Sequence, residues 1–289
     1  MAEIVETIVI GISIGCLYGL IGLCFTVIYN ATDVINFAQG EFLMLGAVWS
    51  WLLATVLGIS LWIAALIIVG LSLIAAVVFE RIVITPLMNM NAGFIRIAIC
   101  TMGISMIISG ATGVLTKFDW LRADPFFGIT VWGVGGVSIQ PQYVMVVVET
   151  LIFLGIYYFF SKSTIYGIAL RATGFNKTTV RLLGVAPAAM VFLAFGIAAV
   201  MSGLGGMAMA PVTNPNAMMG LPLVIKGFVA AIVGGLGNPY AAVVGGIFVG
   251  VLASLVTAYL SSAYAEIAVF AVLIGFLAIR PSGLFGEAK

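Results

Sequence analysis

The residues able to do chemistry in this chain are few, and five of them share one short stretch. Asn30, Asp33, Asn36, Gln39 and Glu41 lie in NATDVINFAQGEFLMLGA, between two long apolar runs. An acid at membrane depth is costly and usually functional, and Gly40 just before Glu41 permits an unusual backbone turn. If a helix begins near Gln39, its free N–H groups and the positive end of its dipole face the interruption. Those groups suit the carboxylate of an amino acid, or Glu41 itself acting as a cap; Glu41 could instead meet a substrate ammonium. Asn36 and Gln39 are neutral hydrogen-bonding groups, suited to lining a passage for a polar solute and equally to satisfying broken backbone. A second stretch, APVTNPNAMMGLPLVIKG, breaks another apolar region with Pro211, Asn214, Pro215, Asn216, Gly220 and Pro222. Proline stops helices, and unpaired backbone in hydrocarbon is tolerated only where protein buries it or water reaches it. Two such segments, one in each half, point to a translocation site that includes Asn214 and Asn216. Two ordinary interfacial loops would give the same pattern.

Other chemistries are poorly supplied. The chain has no histidine, so the usual physiological pH switch and the commonest metal ligand are missing. Cys16, Cys24 and Cys100 are scattered in apolar runs without CxxC spacing and read as small buried hydrophobes. No paired-acid constellation suggests an intramembrane enzyme. GxxxxGK[ST] does not occur, so the chain is not expected to bind or hydrolyse ATP. No metal or other cofactor is expected on it, and a net charge of +1 points away from nucleic acid.

The elements that must position these groups are membrane helices. Of 289 residues, 63% are hydrophobic and 7% charged, with mean hydropathy +1.29; a soluble domain carries about 25% charged residues. Runs close to the ~20 residues that span a bilayer recur, at 7–29, 42–57, 60–79, 97–115, 141–160, 188–210, 239–259 and 266–280, with a shorter piece at 222–235. The expected fold is all-α, one polytopic bundle over 1–289 of about 8–9 spans, with two interrupted or short helices in pseudo-repeated halves. Glu3 and Glu6 stand where a signal peptide would carry basic residues, so the first run is expected to remain as a span. Arg81 and Arg96, then Lys162, Arg171, Lys177 and Arg181 between 161 and 187, then Arg280 and Lys289, belong on the cytoplasmic side. The loop 116–140 then lies outside. The N-terminus is outside if 30–41 is a simple loop, and parity allows the opposite if that stretch re-enters the membrane. Gly246 and Gly250 have the spacing that lets helices approach closely. Glu149, Lys226 and Glu266 each need a partner or an exit to water: Lys226 can snorkel, Glu266 reaches water, and Glu149 pairs with Lys226, faces a wet cavity or is protonated.

VINFAQGEFLMLGA resembles the signature of LivH-type permeases, the membrane subunits of ABC importers for branched-chain amino acids and related solutes. Three further segments agree in order: LRATGFNKTTVRLLGV with the family's long cytoplasmic loop, AAIVGGLGNPYAAVVGGIFVG with its glycine-rich region, and IRPSGLFG with its C-terminal motif. Gln39 stands where many members have histidine, and Thr179 and Val180 where alanines are usual.

The cytoplasmic loop can be read from its residues as well. A helix from about Asn176 to Leu183 groups Phe175, Thr179, Leu182 and Leu183 on one side and Lys177 and Arg181 on another. Such a helix can dock into a partner's groove or lie on the anionic inner leaflet. The resemblance implies the former: a coupling helix, within Arg171, Gly174, Asn176, Lys177, Thr179, Arg181, Leu182, Leu183 and Gly184, that meets an ATPase. It also implies a bacterial-type inner membrane, a second permease (LivM-like or a copy of this chain), two cytoplasmic ATPases that use ATP, and an extracytoplasmic solute-binding protein. An ion-coupled secondary carrier of a small polar solute, or the same importer type serving amides or urea, fits the composition too.

Overall fold

The computed structural model describes residues 2–90, 92–128, 131–134, 137–280 and 282–285. Among them, seven helices are long and apolar enough to cross a membrane. The first, α1 (Ala2–Thr32), is followed by a non-helical segment and then α2 (Gln39–Ser50), which continues through a π-helical stretch, Trp51–Val56. Next come α3 (Leu61–Phe79), a π-helical turn at Glu80–Ile84, the short α4 (Thr85–Asn89) and α5 (Phe94–Thr116). A small hairpin, β1 (Trp132–Val134) and β2 (Val137–Ile139), precedes α6 (Pro141–Ser163). Two short helices, α7 (Ile165–Phe175) and α8 (Lys177–Leu182), lead into α9 (Pro187–Thr213). After a second non-helical segment come α10 (Gly220–Gly234), α11 (Pro239–Tyr259) and α12 (Ser262–Ile279).

Local chemistry sets many of these boundaries. Proline opens α6, α9 and α11, where its missing N–H costs nothing. Asn238 caps α11 by accepting from the Tyr240 and Ala241 N–H groups, as short polar side chains do at helix starts. The helix expected at 42–57 begins at Gln39 instead, so Gln39, Gly40 and Glu41 form its first turn.

Glycine decides how closely the helices meet. Added Cβ atoms on Gly11, Gly15 and Gly19 of α1 would strike the backbone of α11 around Val243, Ile247 and Val251. Those on Gly246 and Gly250 would strike α1 in return. The small-residue spacing on α11 is therefore used within the chain, against an antiparallel α1. The halves are arranged as an inverted repeat. α1 packs on α10 and α11, whereas α9 packs on α2 and α3, the same pairing with the roles exchanged.

Sidedness follows. The C-terminal end of α1, the turn after α3 and the α7–α8 region enclose one cavity, lined by Asp33, Glu80, Lys177 and Arg181 among others. The tail reaches the same end, where the Leu284 N–H donates to Val233 O and Asn30 Nδ2 donates to Gly237 O. The basic segments gather there, so the positive-inside rule assigns this end to the cytoplasmic side; the start of α1 lies on the opposite face. Pro281, Gly286 and Lys289 of the tail lie outside the described residues. The opposite face carries Thr55, which accepts from the Asp124 N–H, and Pro215, whose carbonyl accepts from the Leu121 N–H.

Candidate functional site

Both non-helical segments are built the same way. Each starts with a polar residue in the left-handed region, Asp33 (φ 61°) after α1 and Asn214 (φ 50°) after α9, a conformation that Asp and Asn tolerate better than most residues. Each then closes on an asparagine side chain. Asn36 Oδ1 accepts from the Ala38 N–H at 3.0 Å, and Asn216 Oδ1 accepts from the Met218 N–H at 2.8 Å. Helix then resumes at Gln39 in the first and at Gly220 in the second, and a glycine stands four residues after each asparagine, Gly40 and Gly220. These two glycines meet: a Cβ on Gly40 would overlap the Gly220 carbonyl, and one on Gly220 would overlap the Glu41 carboxylate. The first turns of two oppositely directed helices therefore cross inside the bundle, as broken helices do in transporters.

Glu41 sits at that crossing, 1% exposed. Ser105 Oγ of α5 donates to its Oε1 at 2.7 Å, while Oε2 has no hydrogen-bond partner. The carboxylate lies against the first residue of α10, where the helix dipole offsets part of the cost of burying it, by up to ~2 kcal/mol. Gln39 is equally buried but faces the other way: its Nε2 donates to Ser202 Oγ at 2.7 Å and Ala198 O at 3.2 Å on α9. Asn36 Nδ2 and Gln39 Oε1 are unpartnered as well. The structure thus brings Gly40 and Glu41 to the junction, turns Gln39 toward α9, and uses Asn36 to shape the chain before it. Asn214 is exposed and Asn216 half-buried at the outer end.

One set of residues at the junction is missing from the reading of the sequence. Thr101, Ser105 and Ser109 lie four apart on α5 and face inward. Thr101 Oγ1 accepts from the Phe37 N–H at 3.2 Å in the first interruption, and Ser109 Oγ donates to Ala217 O at 2.7 Å in the second. The signal was a hydroxyl every fourth residue along an otherwise apolar span, masked by the conspicuous charges elsewhere.

At the cytoplasmic end, Asn176 caps α8, its Oδ1 accepting from the Thr178 and Thr179 N–H groups. Phe175, Leu182 and Leu183 are 91%, 84% and 76% exposed, whereas Val180 is buried. Lys177 does not join Arg181 on a free cationic side. It turns back to donate to Thr32 O at 3.0 Å and to pair with Asp33 at 3.3 Å, while Gly174 packs against the carbonyl of Asn30. The loop is therefore fastened to the start of the first interruption. Of the remaining ionisable groups, Lys226 pairs with Glu266 rather than Glu149 and lies 5.7 Å from the Tyr18 ring centroid. Among the described residues, no ion pair reaches the half-buried Glu149.

An inverted repeat of membrane helices, broken at matched points and meeting at their helix starts, defines the chain as a multi-pass membrane transport protein. Residues 7–277 match the family described as branched-chain amino acid transport system, permease component, and the chain belongs to that family. It is 28% identical to the high-affinity branched-chain amino acid transport system permease protein LivH of Salmonella typhimurium, over 96% of this chain and 94% of that one. Identity is also 28% to the corresponding BraD protein of Pseudomonas aeruginosa, covering 98% and 96%. A probable LivH of Methanocaldococcus jannaschii is 26% identical, covering 92% and 88%. Among solved structures, PsaBC from Streptococcus pneumoniae in complex with Fab shares the fold, with a TM-score of 0.50 at 12% identity, covering 96% of this chain and 91% of that one.

Proposed function

We propose that this chain is the permease subunit of an ABC importer in a bacterial-type inner membrane, and that it forms the path for branched-chain or closely related amino acids. Two cytoplasmic ATPases use the ATP, and this chain binds no cofactor. A second permease, LivM-like or a copy of this chain, completes the path, and an extracytoplasmic binding protein delivers solute to the outer end near Asn214 and Asn216. The observation that carries the reading is the fastening of the basic loop to the first interruption through Lys177, Thr32 and Asp33. A push on α8 from below is thereby delivered to the chain leading to Gly40 and Glu41. The exposed Phe175, Leu182 and Leu183 give an ATPase an apolar foothold on the loop, with Arg171, Thr179, Arg181 and Gly184 around it.

Leucine uptake into vesicles that hold this chain and its co-purified subunits tests the reading. Uptake is expected only with ATP and the ATPases present. Uptake that persists without them under an imposed ion gradient transfers the chain to the ion-coupled carriers.

A further inference from the structure

The hydroxyl face of α5 touches both interruptions and the one buried acid between them. Thr101 accepts from a backbone N–H of the first, Ser105 donates to Glu41, and Ser109 donates to a backbone carbonyl of the second. The opposite side of α5 is apolar and exposed, with Ile99, Met102 and Met106 open on it. No neighbouring helix grips that side among the described residues, so α5 is held from its inward face, by these hydroxyls and by Ile97, Ile104 and Ile108 packed beside them. Polar groups at this depth need partners, yet Glu41 Oε2, 1% exposed, has none. Beside it stands the start of α10, with backbone donors not used within the helix. A junction that is closed but incompletely satisfied has something to gain from an incoming polar molecule.

We propose that α5 is the bolt of the passage. Its three hydroxyls hold the interruptions shut at rest; when α5 parts from α2 and α10, the same hydroxyls become one wall of the path. Parting bares a carboxylate oxygen on one side and helix N–H groups on the other, a pairing that suits a small zwitterion, its ammonium toward Glu41 and its carboxylate toward Gly220. This inference rests on the transport reading above, and its test separates the two. Ser105 acts as a positioning residue when the passage is closed and as a lining residue when it is open.

The experiment uses the whole transporter in vesicles, with Cys16→Ala, Cys24→Ala and Cys100→Ala as background and Ser105→Cys, Ser109→Cys or Met106→Cys added singly. The probe is a small cationic, membrane-impermeant methanethiosulfonate. Cysteines at 105 and 109 are expected to react at least about tenfold faster during ATP turnover than at rest, and to be slowed by excess leucine. The cysteine at 106 is expected to stay unreactive throughout. In the unmodified background, Ser105→Ala is expected to raise passive leak of preloaded leucine by roughly tenfold, the effect of losing a bond to a charged acceptor, and Ser105→Thr to leave it unchanged. ATP-dependent uptake with positions 105 and 109 unreactive in every state overturns the bolt and leaves the transport reading standing; equal labelling at 106 also overturns it. Uptake that is indifferent to the ATPases overturns the transport reading instead.

Discussion

The two interruptions of this permease share a plan and differ in charge, the first carrying Asp33 and Glu41 where the second carries Asn214 and Leu221. N-F-A-Q-G-E in the first and N-A-M-M-G-L in the second place asparagine and glycine at the same spacing. Both asparagines accept from the N–H two residues on, and both glycines lie in the crossing of α2 with α10. Where the helices cross, the difference is the residue after the glycine, Glu41 against Leu221. A single carboxylate lies at a place that two helix starts share. In the passage proposed above, only the wall that carries Glu41 can attract an ammonium. The anchoring differs too. The first interruption is fastened on the cytoplasmic side by Lys177, and the second on the outer side by the Leu121 N–H. A motor below and a delivering protein above would therefore each act on a different arm of one crossing.

The crossing itself is the most sensitive point. Gly220→Val puts side-chain carbon into the Glu41 carboxylate, and overpacking of this kind costs typically 1–3 kcal/mol or more. Loss of nearly all uptake is expected, with a lowered melting temperature in detergent. Normal melting and normal uptake would show that the helices do not meet there.

Charge asymmetry is the next target. Glu41→Ala is expected to abolish most uptake with expression intact. Moving the acid across the crossing, Glu41→Leu with Leu221→Glu, sharpens the comparison: a share of uptake well above that of Glu41→Leu alone is expected if the halves are equivalent in backbone. A double variant as inactive as the single one would mean that Ser105, which serves only the first arm, decides the matter.

Smaller effects come from the anchors. Asp33→Lys and Lys177→Asp are each expected to lower ATP-driven uptake a few-fold, because half-exposed ion pairs contribute only ~0.2–1 kcal/mol. Combining them should restore it; a double variant worse than either single one removes the pair from the coupling route. Between the two asparagines, Asn36→Ala leaves a buried N–H unpaired and should cost about 1–3 kcal/mol, whereas the half-buried Asn216→Ala should cost less. Thermal unfolding of both variants measures the difference, and the reverse order would contradict the burial of the first arm.

Much of this architecture is legible in the residues. The all-helical, multi-pass fold follows from long apolar runs and scarce charge. The two interruptions stand out because proline, glycine and amides rarely gather in such runs without a reason. The cytoplasmic helix at Lys177–Leu182 lies within the range read from its spacing. The partners of the side chains are a different matter. Lys177 and Arg181 share a helix side by spacing, yet Lys177 folds back to Asp33 because an α-helix end and an acid lie within its reach. Lys226 has two acids to choose from along the chain, and helix packing gives it Glu266. The hydroxyls of α5 are small and neutral, and nothing in their own segment says what they face.

The sequence by itself determined the membrane, the helices, their breaks and the side that carries the positive charge, because burial of apolar surface and the demand for paired backbone act on each segment separately. Tertiary structure alone decided that the two breaks meet, that Glu41 rather than Gln39 occupies the meeting point, and that α5 bridges them. Those outcomes depend on which helices pack together, and in this chain on pairs of glycines far apart in sequence whose missing side chains let two backbones touch.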